Sequence, residues 1–131
     1  MIFVDTGAWA AFFVEKDTFH QAAVRWMQEN WVPLISSDYV LDELLTLLKS
    51  KFGALAALEA GEALWGERFS ALTFLTTDDL REAWRIFRSH SDKGWSFTDS
   101  ASNALMKRLR ISQAFSFDRH FSQMVGVHRV P

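Results

Sequence analysis

Ile2-Phe3-Val4-Asp5-Thr6-Gly7 sets an uncharged run of β-branched and aromatic side chains directly against an acid and a turn-forming pair. A run this short, without polar alternation, predicts a strand buried on both faces that ends in a turn, with Asp5 at its carboxyl end. Strands of that kind belong to parallel sheets covered by helices. Late in the chain Phe115-Ser116-Phe117 repeats the pattern and again stops at an acid, Asp118. Two strands would then deliver carboxylates to the same edge of one sheet.

Between them the apolar period changes. Tyr39, Val40, Leu44, Leu45, Leu47, Leu48 and Phe52 recur at helical spacing, with Asp38 as the expected N-cap. In that helix the neighbours of Glu43 one turn away and beside it are Tyr39, Val40, Leu44 and Leu47, so its carboxylate is expected on the apolar side. Asp42 instead shares a stripe with Asp38, Thr46 and Lys49 and should face water. A buried acid costs several kcal/mol unless it is paired with a cation or a base. Asp99 follows Thr98 and opens a further amphipathic stretch whose apolar side is Ala101, Ala104, Leu105 and Leu109. An acid there also suits a helix start, where free N–H groups and the macrodipole favour negative charge. Asn103, one turn on, is expected to point the same way.

The coarse pattern predicts strands near 2–4, 34–36, 72–75, 114–117 and 127–130, and helices near 8–14, 19–30, 39–52, 54–69, 78–90 and 99–109. Thr77-Asp78-Asp79 followed by Glu82 reads as a helix cap, which removes that acid pair from the candidate site. Short apolar strands alternating with helices predict an α/β fold, a three-layer α/β/α sandwich around a parallel sheet. Ligands bind such sheets beyond the strand carboxyl ends, at the point where neighbouring strands send their helices to opposite faces.

With 131 residues, 49% of them hydrophobic, and neither a linker nor a repeat, one domain over 1–131 is expected. The absence of cysteine excludes disulfides, thiolate metal sites and a cysteine nucleophile. The apolar run 8–14 stops at Glu15-Lys16, far short of the roughly 20 apolar residues of a membrane helix, so a soluble, cytoplasmic protein is expected. A net charge of −2 argues against generic nucleic-acid adhesion, yet setting aside Asp5, Glu43, Asp99 and Asp118 leaves 14 basic against 12 acidic residues. Lys49, Lys51, Lys93, Lys107, Arg108, Arg110 and Arg119 lie near those acids in sequence and are candidates for phosphate contacts. His20, His90, His120 and His128 show no metal-ligand spacing with one another and are expected on the surface or partly buried. Phe12, Phe13, Trp26, Trp31, Trp65 and Phe69 crowd the first half of the chain, enough to furnish an exposed apolar patch for self-association or a partner.

Asp5-Thr6 after an apolar strand, an acid on a helix some forty residues later, Thr98-Asp99 opening a late helix and Asp118 after a following strand together resemble the PIN domain. Among its members the chain looks most like the VapC toxins, ribonucleases of bacterial toxin–antitoxin pairs. The resemblance implies a five-stranded sheet in the order 3-2-1-4-5, which sets the strands before Asp5 and Asp118 side by side. It implies that Asp5, Glu43, Asp99 and Asp118 are the catalytic, metal-holding acids, Asp118 binding directly or through water, with Thr6, Thr98 and Asn103 in support. The stretch 91–97 also looks like the family, without a ligand role for Asp92. Oxygen-only donors favour Mg²⁺ or Mn²⁺, cations that activate water for in-line attack on phosphorus without a covalent enzyme intermediate. The family further implies RNA as substrate, 5′-phosphate and 3′-hydroxyl ends, a homodimer and a small protein antitoxin.

Other readings differ at particular residues. A haloacid-dehalogenase phosphatase needs a second Asp where this chain has Gly7, and a receiver domain wants an acid pair and a late Lys in another order. A PIN nuclease of RNA maturation or decay without an antitoxin fits the same acids. A noncatalytic PIN-like module binding RNA or protein would have no need to keep all four.

Overall fold

Ile2–Val4 forms β1, and the chain passes from it straight into α1, Thr6–Phe13, without the expected turn. The reason is Asp5: its backbone is extended while its side chain accepts from Thr6 N–H, so it serves as the N-cap and the helix starts two residues earlier than the pattern predicted. The computed structural model describes residues 1–131, and the remaining elements follow as α2 (His20–Glu29), β2 (Leu34–Ser37), α3 (Asp38–Phe52), α4 (Ala54–Trp65), β3 (Ala71–Thr73), α5 (Thr77–Ser89), α6 (Phe97–Leu109), β4 (Gln113–Phe115) and β5 (His128–Val130). A 3₁₀ turn, Arg119–Gln123, lies between β4 and β5 where no element was expected.

All five strands are parallel and their order is β3-β2-β1-β4-β5. Parallel connections are right-handed, so β1→β2→β3 and the return from β3 to β4 carry their helices to opposite faces, giving the three layers. The switch point therefore falls between β1 and β4, and Asp5 and Asp118 follow those two strands. β1 and β2 are buried throughout, whereas β3 is half-buried and β5 is exposed at two of its three residues, as edge strands are.

Phe3, Trp9, Phe115 and Phe121 are fully buried and belong to one continuous core. Trp26 of α2 stacks on Phe115 with ring centroids 4.0 Å apart, and Phe3 stacks on Phe121 at 6.4 Å. These contacts join the strand layer to α2 and to the 3₁₀ turn that carries Asp118 as its cap. Trp9 Nε1–H donates to Ser36 Oγ at 3.1 Å, and Ser36 Oγ–H donates to the Val4 carbonyl at 3.1 Å. That buried relay pins α1 and β2 to the end of β1, one residue before Asp5.

Helix boundaries differ from expectation where a side chain outbid the pattern. Ser37, not Asp38, caps α3 by accepting from Val40 N–H, while Asp38 Oδ1 accepts from Leu75 N–H at 3.0 Å. α4 stops at Trp65 rather than 69 because Gly66 takes the C-cap position, and α3 is broken from α4 at Gly53, whose φ of +94° is costly for any other residue. Thr76 and Asp79 form a capping box at α5, and Arg108 of α6 donates to both oxygens of buried Asp79 at 2.7 and 2.9 Å. Asp79→Ala removes both the box and this bidentate pair, and because Arg108 is partly exposed the expected loss is about 2 kcal/mol, measured by urea unfolding.

No helix is long and apolar enough to cross a membrane. Of the six singled-out aromatics, Phe12, Phe13, Trp26 and Phe69 pack against the core, whereas Trp31 and Trp65 are exposed. One of them, Trp65, anchors an exposed apolar patch whose other members are aliphatic: Leu55, Leu58 and Trp65 of α4 stand exposed beside a groove against Leu45 of α3.

Candidate active site

A depression of about 450 Å³ opens at the switch point, lined by Asp5, Glu43, Asp99 and Asp118 together with Thr6 and His120. Residues distant in sequence thus meet on one surface, and neither Lys nor Arg lines it. Four carboxylates without a lysine or arginine in contact make a pit whose negative charge calls for a cation.

Each acid is held by the local structure that delivers it. Asp5 is 5% exposed; Oδ1 accepts from Thr6 N–H at 2.7 Å and Oδ2 from Ser116 Oγ–H at 3.0 Å. Asp99 is the third helical residue of α6 and half of a capping box, with Oδ2 accepting from Ser96 N–H at 2.9 Å while Ser96 Oγ accepts from Asp99 N–H at 3.0 Å. The helix accordingly begins at Phe97, and the same acid serves as helix-start residue and as site residue. Asp118 caps the 3₁₀ turn through His120 N–H at 2.9 Å, three residues beyond the end of β4 rather than at it. Ser116 Oγ also accepts from Asp118 N–H at 2.9 Å, so one buried hydroxyl ties Asp5 to the Asp118 segment. Glu43 is half-buried beside Leu47, less enclosed than its helical neighbours predicted, and its carboxylate makes no protein hydrogen bond.

Burial pushes the Asp5 carboxyl up to about 7, helped by the nearby charges of Asp99 and Asp118 and opposed by the hydrogen bonds from Ser116 and Thr6. Asp99 is raised as well, chiefly by burial, with Asp118 adding to the rise and the Ser96 and His120 contacts working against it. Ionised carboxylates brought this close in a partly dry pit are unfavourable to one another, the condition that binding a cation relieves.

Two further side chains belong to this site and were not marked by the sequence. His120, expected on the surface or partly buried but not in the site, places Nδ1 3.1 Å from Asp99 Oδ2 and 3.3 Å from Asp118 Oδ2. Its spacing from the other histidines carried no signal; its place two residues after Asp118 did. Ser116 is the other, inward-facing at the end of β4. Of the supporting residues, Thr6 lines the depression and its Oγ1 is buried without a partner. Thr98 is half-buried outside it, and Asn103 is buried in a separate hollow shared with Arg110 and Gly126. Among the basic residues, Arg108 and Lys107 are engaged by Asp79 and Glu82, and Asp92 pairs loosely with Lys93 away from the site.

The donor set fits a small hard cation. Carboxylate oxygens from four acids line it, those of Asp99 and Asp118 lie within 4.8 Å of each other, and the unpartnered Thr6 hydroxyl can take a hydrogen bond from an ordered water.

An acidic crevice at the switch point of a 3-2-1-4-5 parallel sheet defines an α/β protein of the PIN class. The PIN domain family model matches residues 2–127, and the chain belongs to that family. Within it the chain is similar to the 23S rRNA-specific endonuclease VapC20 of Mycobacterium tuberculosis, with 34% identity over 122 residues spanning 93% of this chain and 92% of that protein. A VapC ribonuclease of Archaeoglobus fulgidus is 32% identical over 127 residues, covering 91% of this chain and 78% of the relative. The crystal structure of Mycobacterium tuberculosis VapC20, described as a sarcin-ricin loop cleaving toxin, superimposes with a TM-score of 0.90 over 97% of this chain and 98% of that one. FitAcB of Neisseria gonorrhoeae, at 14% identity and a TM-score of 0.71 over 100% of this chain and 97% of its own, shares the fold.

Proposed function

We propose that this chain is a VapC-type endoribonuclease that hydrolyses RNA phosphodiester bonds with Mg²⁺ or Mn²⁺ held by Asp5, Glu43, Asp99 and Asp118. The observation that carries it is the convergence of these four acids in one depression that no lysine or arginine lines. When bound, the cation supplies positive charge that makes water more acidic and stabilises the charge developing on phosphate and leaving oxygen.

The protein's own part is placement. Asp5 and Asp99 are held by backbone N–H groups and so keep their orientation when the site loads. Asp5, pushed up to about 7 by burial, and Asp99, raised in the same direction, favour their protonated forms in the empty pit, so loading a cation there displaces protons. Glu43, without a protein partner, is free to complete the donor set as substrate arrives. Ser116 and the Trp9–Ser36–Val4 relay hold the ends of β1 and β4 together, so Asp5 and Asp118 cannot drift apart.

The relatives named for 23S rRNA and sarcin–ricin loop cleavage support a structured ribosomal RNA loop as substrate. They also support pairing with a small antitoxin, and the exposed Leu55, Leu58 and Trp65 beside the groove between α3 and α4 offer apolar area for a protein partner or a second copy. A PIN nuclease of RNA decay would show the same chemistry without an antitoxin.

The test uses purified chain and a sarcin–ricin loop oligonucleotide beside unrelated hairpins. Cleavage is expected with Mg²⁺ or Mn²⁺, to cease with chelator, to return on adding the cation back, and to leave 5′-phosphate ends. Cutting that survives chelation, or 2′,3′-cyclic phosphate ends, refutes the metal-dependent reading.

A further inference from the structure

We infer that His120 is a positioning residue of the acidic site, its Nδ1–H held by Asp99 and its backbone N–H holding Asp118, so that the free Asp99 Oδ1 and the outward lone pairs of the Asp118 carboxylate are presented together to a divalent cation. This rests on the reading of the depression as a metal site.

Nδ1 stands 3.1 Å from Asp99 Oδ2 and 3.3 Å from Asp118 Oδ2. Ionised carboxylate oxygens only accept hydrogen bonds, so the nitrogen between them must carry a hydrogen. The oxygen of Asp99 that it meets already accepts from Ser96 N–H at 2.9 Å. Two donors on Oδ2 leave Oδ1 of Asp99 without a protein partner. Asp118 Oδ1 accepts from His120 N–H at 2.9 Å, and its Oδ2 lies 3.3 Å from the ring nitrogen. Residue 120 is thereby the one place where the α6 acid and the β4-side acid are coupled.

The ring is itself confined. A Cβ added at Gly94, in the segment leading to α6, would lie 3.3 Å from His120 Nε2, closer than most such contacts. The backbone of that segment thus abuts the far edge of the imidazole and keeps Nδ1 turned to the carboxylates. Outer hydrogen bonds of this type orient metal-holding groups, and their loss typically weakens metal affinity by about 10–100-fold.

The test is Mn²⁺ titration by calorimetry on the metal-free chain and three variants at residue 120, each checked for an unchanged melting profile. His120→Asn puts an amide N–H close to the position of Nδ1; His120→Gln puts it nearer Nε2; His120→Ala has none. Affinity is expected to fall about 10–100-fold in His120→Ala and His120→Gln, with most of the loss restored in His120→Asn. Gly94→Ala, which crowds the ring without altering it, is expected to weaken Mn²⁺ binding to a smaller degree. The inference is overturned by undiminished affinity in His120→Ala, by His120→Asn binding as poorly as His120→Ala, or by spin-echo spectra showing nitrogen bonded directly to Mn²⁺. Each of those leaves the nuclease reading standing, whereas a wild-type chain that binds no Mn²⁺ defeats both.

Discussion

Asp5→Asn and Asp99→Asn are each expected to abolish RNA cleavage while leaving the chain folded and, without metal, more stable. Losing one charged donor forfeits several kcal/mol of transition-state charge stabilisation, a factor of roughly a thousand in rate. The gain in stability comes from the same acids: Asp5 is nearly inaccessible and its carboxyl titrates about 7, so near pH 8 the folded chain carries an ionised group against its preference. Asparagine keeps an acceptor for Thr6 N–H and removes that charge and its repulsion of Asp99 and Asp118. The charge penalty removed at Asp5 is partly offset by an amide NH₂ replacing the oxygen that accepts from Ser116, so a net rise of about 1 kcal/mol, several degrees in melting temperature, is expected at pH 8. Gel assays on a ribosomal loop and thermal melts in chelator read the two effects. Full cleavage by both variants would remove the acidic depression from the chemistry.

Metal-free stability should fall as pH rises from about 4 to about 7, a direction opposite to that set by ordinary surface carboxylates. Asp5 has a folded pKa of about 7 against 3.8 for the free side chain, and Asp99 is displaced the same way. Across that interval the folded chain retains a proton that the unfolded chain has released, so each increment of pH favours unfolding. For Asp5 alone the full span is on the order of 4 kcal/mol. Asp79 and Glu82, whose pKa values are lowered by Arg108 and Arg85, contribute stability that is lost only as pH falls below the usual carboxylate range, outside this window. Saturating Mg²⁺ should offset the decline, because the cation binds the ionised form, and the gap between melts with Mg²⁺ and with chelator should widen from pH 5 to pH 8. Asp5→Asn should flatten the metal-free curve. A flat wild-type curve would mean that Asp5 is neither buried nor crowded by charge as the fold places it.

The layered α/β architecture was legible because it rests on local periodicity: Ile2-Phe3-Val4 could be buried only in a sheet covered on both faces, and Tyr39–Phe52 could bury its apolar residues only as a helix. Element ends were less legible. Whether Ser37 or Asp38, Ser96 or Thr98, Gly66 or residue 69 marks a boundary depends on single hydrogen bonds that the apolar pattern does not register. The strand order came from resemblance to a family, since periodicity places strands in a sheet without ordering them.

For the depression, Asp5, Glu43, Asp99 and Asp118 stood out because each is an acid set where apolar residues crowd, a local conflict visible one residue at a time. What the chain determined by itself was therefore which segments must be buried and which charges burial would trouble. Only the tertiary structure decided who answers those charges. Ser116 reaches Asp5 across 111 positions and His120 reaches Asp99 across 21, while Thr98 and Asn103, near the acids in sequence, face elsewhere. Apolar burial is enforced by spacing along a helix or strand, whereas a hydrogen bond to a carboxylate is decided within a few ångströms in space, once parallel strands from opposite ends of the chain have been laid side by side.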